Sequence, residues 1–93
     1  MDLKVQDKYK LGMSEISLKE NAQMLTSSLV WGGAKTLEQL KQLDWLKNIS
    51  EYGIIMYIRE AEHHGWIRTK ITKGEPNLYM STVKGRRMAN ARD

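Results

Sequence analysis

Seven cationic side chains, Arg68, Lys70, Lys73, Lys84, Arg86, Arg87 and Arg92, crowd residues 66–93, where only Glu75 and Asp93 oppose them. Residues 1–65 hold eight basic and nine acidic groups, so a chain of net charge +4 is −1 over that stretch and +5 over the remainder. A positive field confined to one end of a chain suits an anionic partner such as a phosphate backbone. Within it, Arg68 and Lys70 share one face of a strand with Trp66, Lys73 sits at a turn, and Arg86-Arg87 lie at the start of a helix. These groups can neutralise phosphates without reading a base sequence. A basic strand face also protects a sheet edge from pairing with another sheet, so the charge asymmetry, rather than the strand, favours the anionic partner.

Other chemistry is excluded by inventory. The absence of Cys removes disulfides, thiolate zinc sites and cysteine nucleophiles. His63 and His64 are neighbours, about 100° apart on a helix, and cannot share a metal without a third group. Glu60 and His64, four residues apart, could form half a site, but nothing completes it, and both histidines read as solvated side chains favoured by the negative end of a helix dipole. There is no glycine-rich phosphate loop and no nucleophile beside a base, so neither catalysis nor a cofactor is expected. No apolar run approaches a membrane span, and MDLKVQDKYK resembles neither a signal peptide nor an anchor, so a cytoplasmic location is expected.

The elements that must position these groups can be read from periodicity. Ser17 and Glu20 have capping-box spacing, and Leu18, Ala22, Leu25 and Leu29 form one helical stripe that Gly32-Gly33 terminates. A short extended piece, Ala34-Lys35, precedes a second capping box, Thr36 with Gln39, which opens a helix carrying Leu37, Leu40 and Leu43. Asp44 either continues that helix or starts a separate turn with Trp45 and Leu46. Ser50 caps a third helix with Ile54, Ile58 and Ala61 inward, ended by Gly65. The period then switches to two: Ile67, Thr69 and Ile71 alternate with Arg68, Lys70 and Thr72. Residues 73–77 supply turn chemistry, Leu78–Ser81 return as the second strand, and Thr82 caps a last basic helix. The spacing predicts helices over 18–31, 37–46, 50–64 and 83–91, and a hairpin of 66–72 with 78–81. Residues 1–16 form an N-terminal arm and 17–93 the domain. Trp31, Trp45 and Trp66 are expected to anchor the core or its rim, with Trp45 also suited to anchoring a partner.

Helix, extended piece, helix, helix and hairpin is the order of the winged helix-turn-helix. His64-Gly65-Trp66-Ile67 resembles the end of the recognition helix and the first wing strand of bacterial MarR-like and PadR-like regulators. The spacing of Tyr79, Thr82, Gly85 and Arg86 resembles their second wing strand and following helix, where Tyr-x-Leu-Thr-x-x-Gly-Arg is common; Ser81 stands at the Leu position. Thr36-Leu37-Glu38-Gln39-Leu40 is similar to the start of their second helix. The resemblance spans residues 17–90 and implies a mainly α fold with a small β-hairpin: a three-helix core, a two-stranded wing and a C-terminal helix. It implies a small DNA-binding transcription regulator of bacterial or phage type, acting on double-stranded DNA.

The third helix admits a second reading. Tyr52, Met56, Arg59, Glu60 and His63 point outward, and Tyr52, Met56, Arg59 and His63 would face bases. Yet Glu51, Glu60 and Glu62 make the helix net acidic, awkward against phosphate. Tyr52 and Met56, with Tyr57 at the edge of the stripe, would form an apolar-aromatic patch of the kind found at protein interfaces. A winged-helix interaction module therefore stands beside the regulator, and a second copy of the chain, joined through residues 1–16 and the first helix, is a further candidate partner.

Overall fold

The computed structural model describes residues 15–92. Most of the N-terminal arm, one of the two segments suggested for a dimer, lies outside them. The described chain is mainly helical with a small three-stranded antiparallel sheet: α1 (Glu15–Gly32), β1 (Lys35–Thr36), α2 (Leu37–Lys41), a 3-10 turn (Asp44–Leu46), α3 (Glu51–His63), β2 (Ile67–Lys70), β3 (Leu78–Ser81) and α4 (Val83–Arg92).

The stripe on α1 works as its spacing demands. Ala22, Leu25 and Leu29 are buried and Leu18 packs partly against them. Thr26 is also wholly buried, which a hydroxyl tolerates only with a partner; its Oγ1 donates to the Ala22 carbonyl at 2.8 Å. The helix already runs through Ser17, so the expected capping box of Ser17 with Glu20 is not its start. At the other end Gly33 takes φ +85° and donates its amide to the Leu29 carbonyl at 3.0 Å.

Thr36 and Gln39 form the second capping box in both directions. The expected helix over 37–46 divides in two, with Leu43 extended between α2 and the 3-10 turn. Leu40 and Leu46 are both fully buried. Six residues apart on one straight helix they would diverge by about 120°. Breaking the helix at Leu43 re-aims Leu46 into the core.

Ser50 caps α3 through the amide of Gly53 at 3.1 Å. Gly65, at φ +76°, donates to the Glu62 carbonyl at 2.9 Å and Trp66 donates to the Ala61 carbonyl at 3.0 Å, a Schellman closure. Ile54, Ile58 and Ala61 are buried as expected, and so is Tyr57, which stacks on Trp45 with ring centroids 6.3 Å apart. Tyr57 is thus a core residue rather than the edge of an outward patch.

The hairpin is present but shorter, and it is not two-stranded. β3 lies in the middle, pairing β2 through Ile67 with Ser81 and Thr69 with Tyr79, and pairing β1 through Lys35 with Tyr79. The two-residue strand β1 carries too little sequence to show a period. Ile67, Thr69, Lys35, Tyr79 and Ser81 share the core-side face by register; Arg68, Lys70, Leu78 and Met80 share the outer one.

Helix α4 is seated by Thr82 and Gly85. The Thr82 hydroxyl accepts from the Gly85 amide at 3.0 Å and donates to the Gly65 carbonyl at 2.6 Å, while the Thr82 amide donates to the Trp66 carbonyl at 2.9 Å. A methyl group at Gly85 would collide with that Trp66 carbonyl oxygen and crowd Thr26 Cγ2 at 3.1 Å. Glycine there lets α4 close on both α1 and the strand entry, so the Thr-x-x-Gly spacing has a packing cause.

Candidate nucleic-acid interface

Tyr52, Met56, Arg59 and His63 recur at four, three and four along α3, which places them in a sector of about 60° opposite the buried face. Tyr52, Arg59 and His63 are exposed. Met56 is not: it is half-buried and packs against the core, so the expected open pair with Tyr52 reduces to Tyr52 alone.

The three carboxylates that count against this helix as a DNA-reading element stand on its flanks, each with an internal partner. Glu51 Oε1 lies 3.6 Å from Lys41 Nζ. Glu60 Oε2 meets His64 Nε2 at 2.9 Å. Glu62 Oε2 accepts from Thr69 Oγ1 at 2.7 Å, a link from α3 to β2. The outward stripe itself contains no carboxylate. Lys41 is held above its ordinary pKa by its hydrogen bond to Glu38, that residue's charge and the charge of Glu51.

His64 departs from its expected solvated state. It is half-buried, bonded to Glu60, and stacked on Trp66 with centroids 4.3 Å apart and planes 14° apart. Trp66 belongs to the buried core. Trp45 is half-buried and donates from Nε1 to Ser28 Oγ at 3.3 Å, which sets it in the packing between α1 and α3. Trp31 instead is two-thirds exposed at the end of α1.

On the sheet, Arg68 and Lys70 are exposed on the outer face and border a shallow hollow of about 450 Å³ with Thr69 and Met80. The opposite side faces a cleft of about 300 Å³ shared by α2, α3 and the hairpin, whose wall includes Leu37, Arg59, Glu62, Thr69, Ile71 and Tyr79. The cleft brings Arg59 beside the hairpin, while the thickness of the sheet separates it from Arg68 and Lys70. Lys73 is exposed in the turn, next to Gly74 at φ +79°. Arg86 and Arg87 are exposed on α4, whose Gly85 and Ala89 are buried. Lys84 bends over Gly65, so its charge lies at the C-terminal end of α3, where the helix dipole favours a cation.

Among the described residues, Lys41 and Lys47 are engaged in ion pairs, with Glu38, Glu51 and Asp44. None of Arg59, Arg68, Lys70, Lys73, Arg86 and Arg87 has, among the described residues, a carboxylate within ion-pair distance. Sequence reasoning located these cations by composition. It missed the Glu62–Thr69 bond and the exposure of Ile71, because both depend on how the strand crosses the end of α3.

The fold and this surface define a small helical domain whose three-stranded sheet carries uncompensated positive charge. No helix among the described residues is long and apolar enough to cross a membrane. No family model, curated protein or solved structure matches the chain.

Proposed function

We propose that this chain is a winged helix-turn-helix DNA-binding protein, a transcription regulator of bacterial or phage type, with α3 as the recognition helix and the β2–β3 hairpin as the wing. The observation that carries the reading is the sorting of charge on α3 and the wing. Carboxylates are turned to the flanks of α3 and bound there, whereas Arg59, Arg68, Lys70 and Lys73 are exposed and unpaired. Unpaired surface cations around a protruding helix and hairpin are what a duplex exploits: phosphate contacts give affinity and the helix gives access to base edges. Strand β1 pairing beside the wing also fits, since that third strand fixes the hairpin to the helical core. Arg86 and Arg87 extend the field along α4.

The test is the binding of random duplex DNA at several salt concentrations. Affinity should fall steeply with salt, with a slope of roughly 0.9 log units per phosphate contact. Charge reversal of Arg68 and Lys70 should weaken random and preferred duplexes equally and flatten that slope by roughly 0.9 for each contact removed. Salt-insensitive or absent binding would favour a protein partner on α3, where Tyr52 is 56% exposed.

A further inference from the structure

Ile71 is 77% exposed, the most open of the large apolar side chains among the described residues. Met24, Trp31, Tyr52 and Val83, the others, all lie on helices. Ile71 stands just past the end of β2, between Lys70 and Lys73 in the chain; on its own side of the hairpin it shares the cleft with Arg59 and with Glu62, the latter bonded to Thr69, while Arg68 and Lys70 lie on the opposite face. Leaving such a group in water forgoes the stabilisation its burial would give the fold. Its cationic neighbours also select what approaches it. An apolar partner has no use for cations on both faces of this hairpin edge, Arg59 on one and Arg68 and Lys70 on the other, and a phosphate has no use for an isoleucine. A nucleic-acid groove satisfies both, with phosphates on its rim and apolar sugar and base surface at its floor.

We propose that Ile71 is an apolar wedge that enters the minor groove and partly unstacks a base step, while Lys70 and Lys73 hold phosphates on either side. This rests on the DNA-binding reading above and names what the wing does there. The mechanical requirement is a tip that does not yield. The root of the strand is fixed by buried Ile67 and by the Thr69 hydroxyl bonded to Glu62 on α3, both on the same strand side as Ile71. Beyond it the chain turns tightly, with the Glu75 amide donating to the Thr72 carbonyl at 3.1 Å and Gly74 at φ +79°. A β-branched side chain has few rotamers to lose on insertion. Apolar side chains placed between base steps kink the duplex, and pyrimidine–purine steps resist this least. The wedge therefore confers preference for flexible steps without any hydrogen bond to a base.

The experiment uses the full chain and two duplexes of equal length and base composition, one built on TA steps and one on an uninterrupted A-tract. Anisotropy gives affinity, and 2-aminopurine replacing one adenine of a TA step reports unstacking. The wild-type chain should prefer the TA duplex by roughly tenfold, the order expected for burying part of an isoleucine, and should raise the 2-aminopurine fluorescence. Ile71→Ala should lose the preference and the fluorescence rise while keeping its affinity for the A-tract and its salt slope; Ile71→Leu should retain both. A fluorescence rise and preference unchanged in Ile71→Ala, or no rise with the wild-type chain bound, would overturn the wedge alone. Failure of the wild-type chain to bind either duplex would overturn the DNA reading together with it.

Discussion

Gly85 and Thr82 show how two residues seat a helix. The Thr82 hydroxyl joins the first turn of α4 to the Gly65 carbonyl, and Gly85 lets the helix lie against the Trp66 carbonyl. Gly85→Ala places a methyl group against backbone that cannot rotate away. It should cost about 3 kcal/mol, the upper part of the range for overpacking, read as a lower urea midpoint with unchanged m-value. Thr82→Ala removes a cap and the partner of the half-buried Gly65 carbonyl and should cost about 1–2 kcal/mol. Thr82→Ser should recover most of it. Tyr57 makes a different point. Burial holds its phenol above the ordinary range, so the unfolded chain releases that proton at lower pH than the folded one. Its contribution is fully present below the unfolded value near pH 10 and is lost as pH rises through the folded one. Lys41, also raised, loses its contribution in the same alkaline direction. Tyr57→Phe should therefore unfold less steeply than the parent between about pH 9 and 11, measured by circular dichroism, with the Lys41 component left in both curves.

At the scale of elements, α3 is the piece whose faces decide between partners. Its inward face followed directly from the spacing of Ile54, Ile58 and Ala61, but Tyr57 and Met56 did not, because a wheel marks direction and not what neighbouring elements cover. Trp45, carried on the 3-10 turn, covers Tyr57, and the core takes up part of Met56. The two positions of the proposed patch are then unequal in stability. Tyr52→Ala should change folding free energy by within about 0.5 kcal/mol, as exposed positions do, whereas Met56→Ala should cost more than about 1 kcal/mol. Thermal melts of the two variants check this. Base reading is best probed at Tyr52, Arg59 and His63. If α3 reads bases, alanine at all three should reduce sequence preference by roughly 1–3 kcal/mol for each contact removed and spare most of the non-specific affinity.

The whole molecule separates its charges in space much as the chain separates them in sequence. Pairs of opposite sign join α2, the 3-10 turn and the start of α3, and among the described residues the exposed cations without an ion pair lie on α3, the hairpin and α4, with Lys19 alone on α1. Because Arg68 and Lys70 hold no ion pair among the described residues, reversing both, which brings the net charge from +4 to zero, should leave the melting midpoint close to that of the parent. That control makes any loss of DNA binding in the double variant a statement about the surface and not about folding.

By itself the sequence determined the helices, their caps at Thr36, Ser50 and Thr82, the glycine closures after α1 and α3, the hairpin and the basic character of the last third. All of these rest on interactions within a few residues along the chain, where periodicity and capping chemistry act. Tertiary structure alone decided the third strand, the break at Leu43, the burial of Tyr57 and Met56, and the Glu62–Thr69 bond. It also decided that Thr-x-x-Gly is a close approach of helix to backbone. Each depends on which distant segment arrives beside a residue, and a local pattern does not encode the direction of arrival. The same distinction explains the hairpin: alternation placed Ile71 on the core side of a strand, but the strand ends at Lys70 and only the fold leaves that side chain in the open.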